Sequence, residues 1–272
     1  MTDLYLVPFD FTAVTQGALE YALRLTASAG DHILLLHIVK NESKEDSAER
    51  KFENVMAALS DADRKRVSYK VTTGNLFEDI SKVGHITEAN AIVMGTHGAH
   101  GLQKILGSNA LKVVSGSEIP FIITQNPADY SEIHKIVMPF SYAKETVQVV
   151  QFATTLAKKY KASIDLVGYH DKDEWLLKDM KVNQAVMRRT LSENGVDHSI
   201  VTLPGKKRYE KELVNYAKEI NADLLAAAYF QESIIPALTG SFLQDLITNP
   251  YNIPVLTVNA HTLSKINASV IY

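Results

Sequence analysis

Glycines recur at regular spacing after a short apolar run in the first half of the chain. Gly95, Gly98 and Gly101 are three residues apart, and the pair Gly107-Ser108 follows. Glycine lets the backbone approach a ligand closely and adopt angles that cost other residues energy. A helix that opens at Gly107-Ser108 presents free amides, a hydroxyl and the positive end of its dipole. These features favour an anion site, with phosphate as the natural candidate, over a flexible surface turn.

This loop differs from the most familiar phosphate-binding motifs. No lysine follows its last glycine as in a P-loop, and no G-x-G-x-x-G sequence is present. His97 and His100 have the spacing of a metal pair. No further cysteine or carboxylate cluster lies near them, however, and zinc takes three or four protein ligands. We therefore expect no metal site. Lys104 is either a phosphate contact or a solvated lysine.

Alternating strands and helices must position the loop. Ala91–Met94 and Phe121–Ile123 are short apolar runs, which predicts two buried strands. Thr12 is a predicted helix cap, Gly30 a helix stop, and Asn75 with Glu78 a capping box. Five strands alternating with four helices imply a parallel sheet with right-handed crossovers. The three remaining strands are predicted at Leu4–Val7, His32–Val39 and Val67–Thr72.

The second half of the chain repeats this plan. The recurring pairs are Val7-Pro8-Phe9 with Met138-Pro139-Phe140, Gly107-Ser108 with Gly240-Ser241, and Ile119-Pro120 with Ile253-Pro254. Each half has about 130 residues, which is enough to bury its own core. We therefore predict two tandem domains, residues 1–127 and 133–260, followed by a tail at 261–272.

The chain resembles the universal stress protein family over nearly its whole length. ATP-binding members of that family carry G-x-x-G, nine residues, then G-[ST] between the fourth strand and the fourth helix. Gly95-Thr96-His97-Gly98 and Gly107-Ser108 follow this pattern with eight intervening residues, one fewer than the family has. Asp10 matches the family's acidic residue after strand one, and Gly74 its glycine after strand three. His37-Ile38 resembles its H-V pair at the end of strand two.

The resemblance implies an α/β fold of two tandem Rossmann-like domains, similar to adenine nucleotide alpha hydrolases. Each would have a five-stranded parallel sheet in the order 3-2-1-4-5, with helices on both faces. ATP, with or without Mg²⁺, would bind in the N-terminal domain only, where the strand order reverses. The cofactor-binding residues that the resemblance implies are Pro8, Phe9, Asp10, Ile38, Met94, Gly95, His97, Gly98, Gly107, Ser108 and Asn109.

The resemblance also assigns parts of the nucleotide to these residues. Adenine would lie near Ile38 and Met94, ribose near Asp10 and Gly95, and the phosphates on the amides of the glycine loop. Each assignment has a structural alternative. Asp10 is also suited to cap a helix or turn, and Ile38 and Met94 are also suited to plain core packing.

The second domain departs from this pattern, and we predict that it does not bind ATP in the same way. Ser141 stands in the place of Asp10. Tyr229 and Phe230 are expected to crowd the backbone approach that glycines permit. The other replacements are Ala228 for Gly95, Gln231 for Gly98 and Ile234 for Gly101, while Gly240-Ser241 is retained.

Composition narrows the class of protein. The chain has 272 residues, of which 46% are hydrophobic and 22% charged, as in globular proteins. A net charge of −3 without a basic block gives no reason to expect a nucleic-acid partner. The absence of cysteine excludes disulfides and thiolate metal sites. No signal-peptide pattern opens the sequence, and no apolar run reaches the ~20 residues of a membrane span. We therefore predict a cytoplasmic protein with no membrane contact.

Three functions are compatible with these observations. The first is a stress-response sensor or regulator that binds an adenine nucleotide without efficient catalysis. The second is a scaffold of the same fold that binds no nucleotide and acts through dimerisation or protein partners. The third, an ATP hydrolase, ranks last because no set of groups beyond Asp10 suits phosphoryl transfer. We therefore assign no catalytic residue and expect weak ATPase activity at most.

Assembly is predicted partly from strand edges. The resemblance implies that the two domains pair within the chain through their fifth strands, Phe121–Thr124 and Val255–Val258. Such pairing would cover edges that otherwise invite aggregation. A homodimer is left open. Trp175, the only tryptophan, lies in a predicted long helix, and we expect it to be packed or at a contact. We expect the HDKDEW run around it to be a solvated helix start.

Overall fold

The structure is a computed structural model that describes residues 2–27, 30–96, 106–125, 132–205, 208–230 and 240–260. The chain divides into two compact units, Met1–Tyr130 and Ser131–Tyr272. The described part of each unit contains five parallel strands with helices between them.

The elements of the first unit alternate as the sequence predicts. Its strands are β1 (Leu4–Pro8), β2 (His32–Val39), β3 (Val67–Thr73), β4 (Ala91–Gly95) and β5 (Phe121–Thr124). Its helices are α1 (Ala13–Ala27), α2 (Glu45–Ala58), α3 (Asp61–Arg64), α4 (Leu76–Ile86) and α5 (Leu106–Ser115). A 3-10 turn at Glu42–Lys44 precedes α2, and the short α3 follows it.

The sheet of the first unit has the order β3-β2-β1-β4-β5, which confirms the predicted 3-2-1-4-5 arrangement. In register, Pro8 at the end of β1 is opposite Leu36 of β2. On the other side of β1, Tyr5 is opposite Ala91 of β4. β1 is therefore the strand at which the order reverses, and its carboxyl end is where a ligand crevice is expected.

Helices cover both faces of this sheet. A Cβ atom added to Gly95 would meet Val14 of α1, whereas one added to Gly84 of α4 would meet Ile92. Gly95 and Ile92 are three residues apart in β4, so they point to opposite faces. α1 and α4 therefore lie on opposite sides of the sheet, and the core forms against both faces.

The start of α4 is capped, but not by the predicted pair. Asn75 is the N-cap, and its Oδ1 accepts a hydrogen bond from Phe77 N at 3.0 Å. The side chain that returns to the cap is Asp79, whose Oδ2 accepts from Asn75 N at 2.6 Å, and not Glu78. The carboxylate occupies the space beside Gly74, where a Cβ would lie 2.0 Å from Asp79 Oδ2. The bare backbone of Gly74 thus leaves room for this capping carboxylate.

The second unit repeats the architecture. Its strands are β6 (Lys135–Pro139), β7 (Ser163–Tyr169), β8 (His198–Leu203), β9 (Leu224–Tyr229) and β10 (Val255–Asn259). Its helices are α6 (Val150–Tyr160), α7 (Glu174–Glu193), α8 (Tyr209–Glu219) and α9 (Gly240–Ile247). Its strands follow the order β8-β7-β6-β9-β10, which is again 3-2-1-4-5 within the unit. A 3-10 segment, Lys144–Val149, precedes α6.

Candidate functional site

A cavity of about 600 Å³ lies in the first unit at the carboxyl ends of β1, β2 and β4. The start of α4 closes one side of it. Six of the residues implied from sequence line this cavity: Pro8, Phe9, Asp10, Ile38, Met94 and Gly95. The cavity thus brings together residues that are up to 87 positions apart in the chain, at the point where the strand order reverses.

The remaining implied residues belong to the glycine loop and the helix after it. His97 and Gly98 lie outside the described residues. α5 starts at Leu106, so the backbones of Gly107, Ser108 and Asn109 lie in its first turn. This placement supports the prediction that a helix opens at Gly107-Ser108, with a start one residue earlier.

The carboxylate of Asp10 is held by the turn that leads into α1. Its Oδ1 accepts hydrogen bonds from Thr12 N at 3.0 Å, Thr12 Oγ1 at 2.6 Å and Thr15 Oγ1 at 2.9 Å. No described residue donates a hydrogen bond to Oδ2. Asp10 therefore fills the capping role that was the structural alternative, and it also lines the cavity.

These hydrogen bonds set the ionisation of Asp10. Burial by itself would raise the pKa of the carboxyl, but the donors on Thr12 and Thr15, with a smaller effect of His37, outweigh it and lower the pKa. The group is an anion at neutral pH, because donors that bond to the charged form favour it. Asp10 therefore presents a charged acceptor at the mouth of the cavity.

Gly95 at the end of β4 is required by helix packing. A Cβ atom at this position would lie 2.4 Å from Val14 O and 2.9 Å from Val14 Cγ1. The sequence suggested that this glycine allows the backbone to approach a ligand. In the structure, the close neighbour is the backbone of α1.

An aromatic cluster borders the cavity on the side of α1 and α2. We define it as Phe9, Phe11, His37, Phe52 and Tyr69. The ring of Phe11 lies 4.8 Å from both His37 and Phe52, and Phe52 stacks on Tyr69 at 4.6 Å. Phe11 has a φ of 66°, a left-handed conformation that is rare for a bulky residue. No sequence pattern predicted that Phe11, Phe52 and Tyr69 belong to this cluster, because three different parts of the chain contribute them.

The hydrogen bond of His37 defines its tautomer. Nδ1 lies 2.7 Å from the carbonyl oxygen of Phe9. A carbonyl oxygen only accepts, so Nδ1 carries the proton of this hydrogen bond. The same turn is tied to β2 by Phe9 N, which donates to Leu36 O at 2.8 Å. His37 therefore anchors the β1–α1 turn that carries Asp10.

The first turns of α4 supply apolar walls that were not assigned to the site from sequence. Leu76, Phe77 and Ile80 line the cavity beside Leu36. Leu76 is 45% exposed and Phe77 37% exposed, unusual values for apolar residues that border a core. Two exposed apolar residues directly after a helix cap are the signal in the sequence that could have identified this wall.

The equivalent region of the second unit is organised differently. Ser141 follows β6 as Asp10 follows β1, and its Oγ accepts from Ala143 N at 3.1 Å in the same i to i+2 pattern. Ser141 is fully buried, and its carbonyl accepts from Asn183 Nδ2 at 2.8 Å. The position of Ser141 is therefore as predicted, with a neutral buried group in place of the exposed carboxylate of Asp10.

Tyrosines fill the space beside the strand ends of the second unit. By register, Val167, Gly168 and Tyr169 of β7 correspond to Leu36, His37 and Ile38 of β2. Tyr209 is buried, its hydroxyl donates to Val167 O at 2.6 Å, and its ring lies 4.8 Å from that of Tyr169. Burial raises the pKa of both hydroxyls, which therefore stay neutral. Tyr229 and Phe230, the residues predicted to crowd this region, are also buried.

The described residues contain neither a cluster suited to a metal ion nor a helix suited to span a membrane. None of them form a group of three or more His, Asp or Glu side chains that could bind a metal ion. Among the described helices, none combines the length and the apolar character needed to cross a membrane.

Comparison with known protein families gives a match to the first unit. The sequence profile of the universal stress protein family matches residues 1–125. The first unit is a universal stress protein domain. No curated protein sequence matches the chain at a significant level.

Solved structures extend the similarity in fold to the whole chain. A universal stress protein from Archaeoglobus fulgidus matches with a TM-score of 0.74 and 19% identity, over 96% of this chain and 99% of that one. A protein from Pseudomonas aeruginosa matches with a TM-score of 0.63 and 14% identity, over 98% of each chain. At these identities the similarity shows the fold, and it spans both units of the chain.

Proposed function

We propose that the first unit binds an adenine nucleotide, ATP, in the cavity at the carboxyl ends of β1, β2 and β4. The protein would act as a stress-response sensor or regulator in the cytoplasm, and nucleotide binding would shift a conformational or partner equilibrium. The observation that carries this proposal is the cavity itself, whose described lining combines apolar walls with one carboxylate at the strand-order reversal.

The chemistry of the lining suits such a ligand. A volume of about 600 Å³ is within the range of small-molecule sites. Ile38 and Met94 offer apolar surface to a flat base, and Asp10 Oδ2 is an acceptor for a ribose hydroxyl. The first-turn amides of α5 at Gly107, Ser108 and Asn109 are donors for a phosphate, as helix N-termini are in general. Any Mg²⁺ would then come with the phosphates.

Efficient catalysis is not part of the proposal. Phosphoryl transfer needs a group that positions water and cations that stabilise the transferring phosphoryl. Among the residues lining the described cavity, the titratable side chains are Asp10, His37 and Lys40. Asp10 and His37 are already engaged in holding the β1–α1 turn. We therefore expect slow hydrolysis at most.

The test is to measure the small molecules that the purified protein carries and its affinity for added ATP. Mass spectrometry of the heat-denatured protein detects a co-purified nucleotide, and calorimetry measures ATP binding up to millimolar concentration. We expect Asp10→Ala and Gly107→Val to lose binding. Ser141→Ala, the matched change in the second unit, should retain it.

Thermal melts of every variant separate loss of the site from loss of the fold, since Asp10 also holds the turn into α1. Failure of the wild-type protein to bind ATP at millimolar concentration would overturn the proposal. Binding that survives Gly107→Val would contradict the proposed phosphate position at the start of α5.

The alternative is a scaffold that binds no nucleotide and acts through partners. The filled space of the second unit, with Tyr209 bonded to Val167, is the observation that favours it. Half of the molecule would then keep the fold without the site. Absence of ATP binding together with a defined oligomer or partner would support this function.

A further inference from the structure

Helix α7 has two contrasting faces. One face is buried and carries Met180, Asn183, Met187 and Leu191. The opposite face contains Trp175, the only tryptophan of the chain, which is 78% exposed. The sequence left open whether Trp175 is packed or at a contact, and its exposure rules out packing in this unit. Asp173 caps the helix by accepting from Trp175 N at 2.9 Å, so the segment before it is a solvated helix start, as predicted.

The exposed face of α7 carries a regular series of side chains, which we call the α7 stripe. Two valines in it are exposed to a large degree, Val182 by 55% and Val186 by 46%. Successive members are separated by four, three, four, three and four residues, the spacing that aligns side chains along one seam of a helix. At a rise of 1.5 Å per residue the stripe is about 27 Å long. Its members are Trp175, Asp179, Val182, Val186, Arg189 and Glu193.

The stripe is complementary to itself when a second helix runs in the opposite direction. With a two-fold axis between Val182 and Val186, Val182 of one copy faces Val186 of the other. The same axis places Asp179 opposite Arg189, and Trp175 opposite Glu193. One axis therefore matches an apolar pair and an opposite-charge pair at once, as an isologous interface requires.

A parallel arrangement of the two α7 helices would place like charges opposite each other. In that arrangement, Asp179 would face Asp179 of the other copy, and Arg189 would face Arg189. Like charges in direct opposition disfavour a helix pair, and charged residues along a seam specify its orientation. We propose that the α7 stripe is an antiparallel interface with a second copy of this chain.

Contacts within one chain support this interface. Arg189 Nε donates to Glu193 Oε1 at 2.7 Å, which fixes the charged end of the stripe. In the antiparallel pair this end meets Trp175 of the other copy. A planar guanidinium stacks well on an indole ring, so Arg189 completes the contact. Lys178 Nζ already lies 5.8 Å from the centre of the Trp175 ring on its flank.

The size of the surface sets the expected affinity. One pair of helices in contact over about 27 Å gives an interface at the low end of the range for specific complexes. We expect a dimer in exchange with monomer and a dissociation constant in the micromolar range. Nucleotide binding by the first unit is not required for it.

The test is analytical ultracentrifugation of the full chain from low to high micromolar concentration, with tryptophan fluorescence in parallel. Trp175 is the only tryptophan, so its emission reports burial of the α7 stripe directly. We expect a blue shift as the dimer forms. Asp179→Arg and Arg189→Asp should each raise the dissociation constant at least about tenfold, because the two-fold axis repeats each charge clash twice. The combined charge swap should return it to within about threefold of wild type.

Matched controls distinguish loss of the interface from the effect of a new surface charge elsewhere and from unfolding of α7. Val182→Asp should abolish the dimer, whereas Ile86→Asp, at a 68% exposed position on α4, should not. Arg189→Asp also removes the ion pair with Glu193, so circular dichroism checks that α7 stays helical. The natural chain lacks cysteine. A mixture of Val182→Cys and Val186→Cys chains should therefore form a disulfide dimer faster than either chain alone.

Three outcomes would overturn the proposal. One is a protein that stays monomeric over the whole concentration range. Another is a dimer that Val182→Asp leaves intact, which would place the interface elsewhere. The third is a charge swap that fails to restore the dimer although both single variants weaken it.

Discussion

A methyl group added to residue 95 tests why β4 ends in glycine. The new Cβ of Gly95→Ala would lie 2.4 Å from Val14 O and 2.9 Å from Val14 Cγ1. The nearer atom belongs to the backbone of α1, so the helix must move, because no side chain can rotate to relieve the contact. Overpacking of this kind costs about 1–3 kcal/mol. For a unit of this size that lowers the melting temperature by about 4–12 °C.

Calorimetry and urea unfolding measure this effect, and Gly116→Ala is the matched control. A Cβ on Gly116 would meet its nearest atoms, Lys112 O and Val113 O, at 3.8 Å, which is ordinary contact. We expect the control to unfold like wild type. A Gly95→Ala protein as stable as the control would refute the close approach of α1 to β4. Normal stability combined with lost ATP binding would mean that this glycine serves the ligand.

Two further predictions concern the borders of the cavity. Phe52→Ala should lower the free energy of unfolding by about 3–5 kcal/mol, measured in urea, because it removes a fully buried ring from the aromatic cluster. Tyr69→Ala truncates a residue that is 36% exposed and should lower the free energy of unfolding by less. Equal effects of the two substitutions would contradict this prediction. Asp10→Asn should be less stable than wild type at neutral pH. Burial opposes ionisation, but hydrogen bonds lower the pKa of Asp10 below the value of about 3.9 expected in the unfolded chain. The carboxylate therefore stabilises the fold above that pH, and the stabilisation is lost as the pH falls through the folded pKa. The difference between the two proteins should be fully present at about pH 6 and should shrink as the pH falls below about 4 in urea unfolding, and a constant difference would be evidence against it.

The candidate site was predicted in part. A carboxylate directly after a buried strand, as with Asp10, is visible in a short window, because the strand is a short apolar run and its end is marked by proline. The same holds for Gly95 and for the helix start at Gly107-Ser108. The wall formed by Leu76 and the neighbouring ring of Phe52 were not predicted, since neither segment shows locally which other element it packs against.

Several contacts of the predicted residues could not be inferred from the local sequence. Gly95 lines the cavity, and its close approach to α1 was not predicted. Glu78 was taken as the capping partner of Asn75, but Asp79 fills that role. In the second unit, Tyr229 and Phe230 are buried, and the hydrogen bond from Tyr209 to a β7 carbonyl was not predicted. Each of these contacts depends on which of several suitable neighbours comes close in three dimensions.

The sequence by itself determined the order of strands and helices, the repeat of the plan in two halves, and the family of the first unit. These features depend on periodic burial and on turn chemistry, which act over a few neighbouring residues. Only the tertiary structure decided that Thr12 and Thr15 hold Asp10, that Phe11 closes the aromatic cluster, and that the α7 stripe is exposed. Such contacts depend on the packing of whole elements against each other, so no short window of sequence contains them.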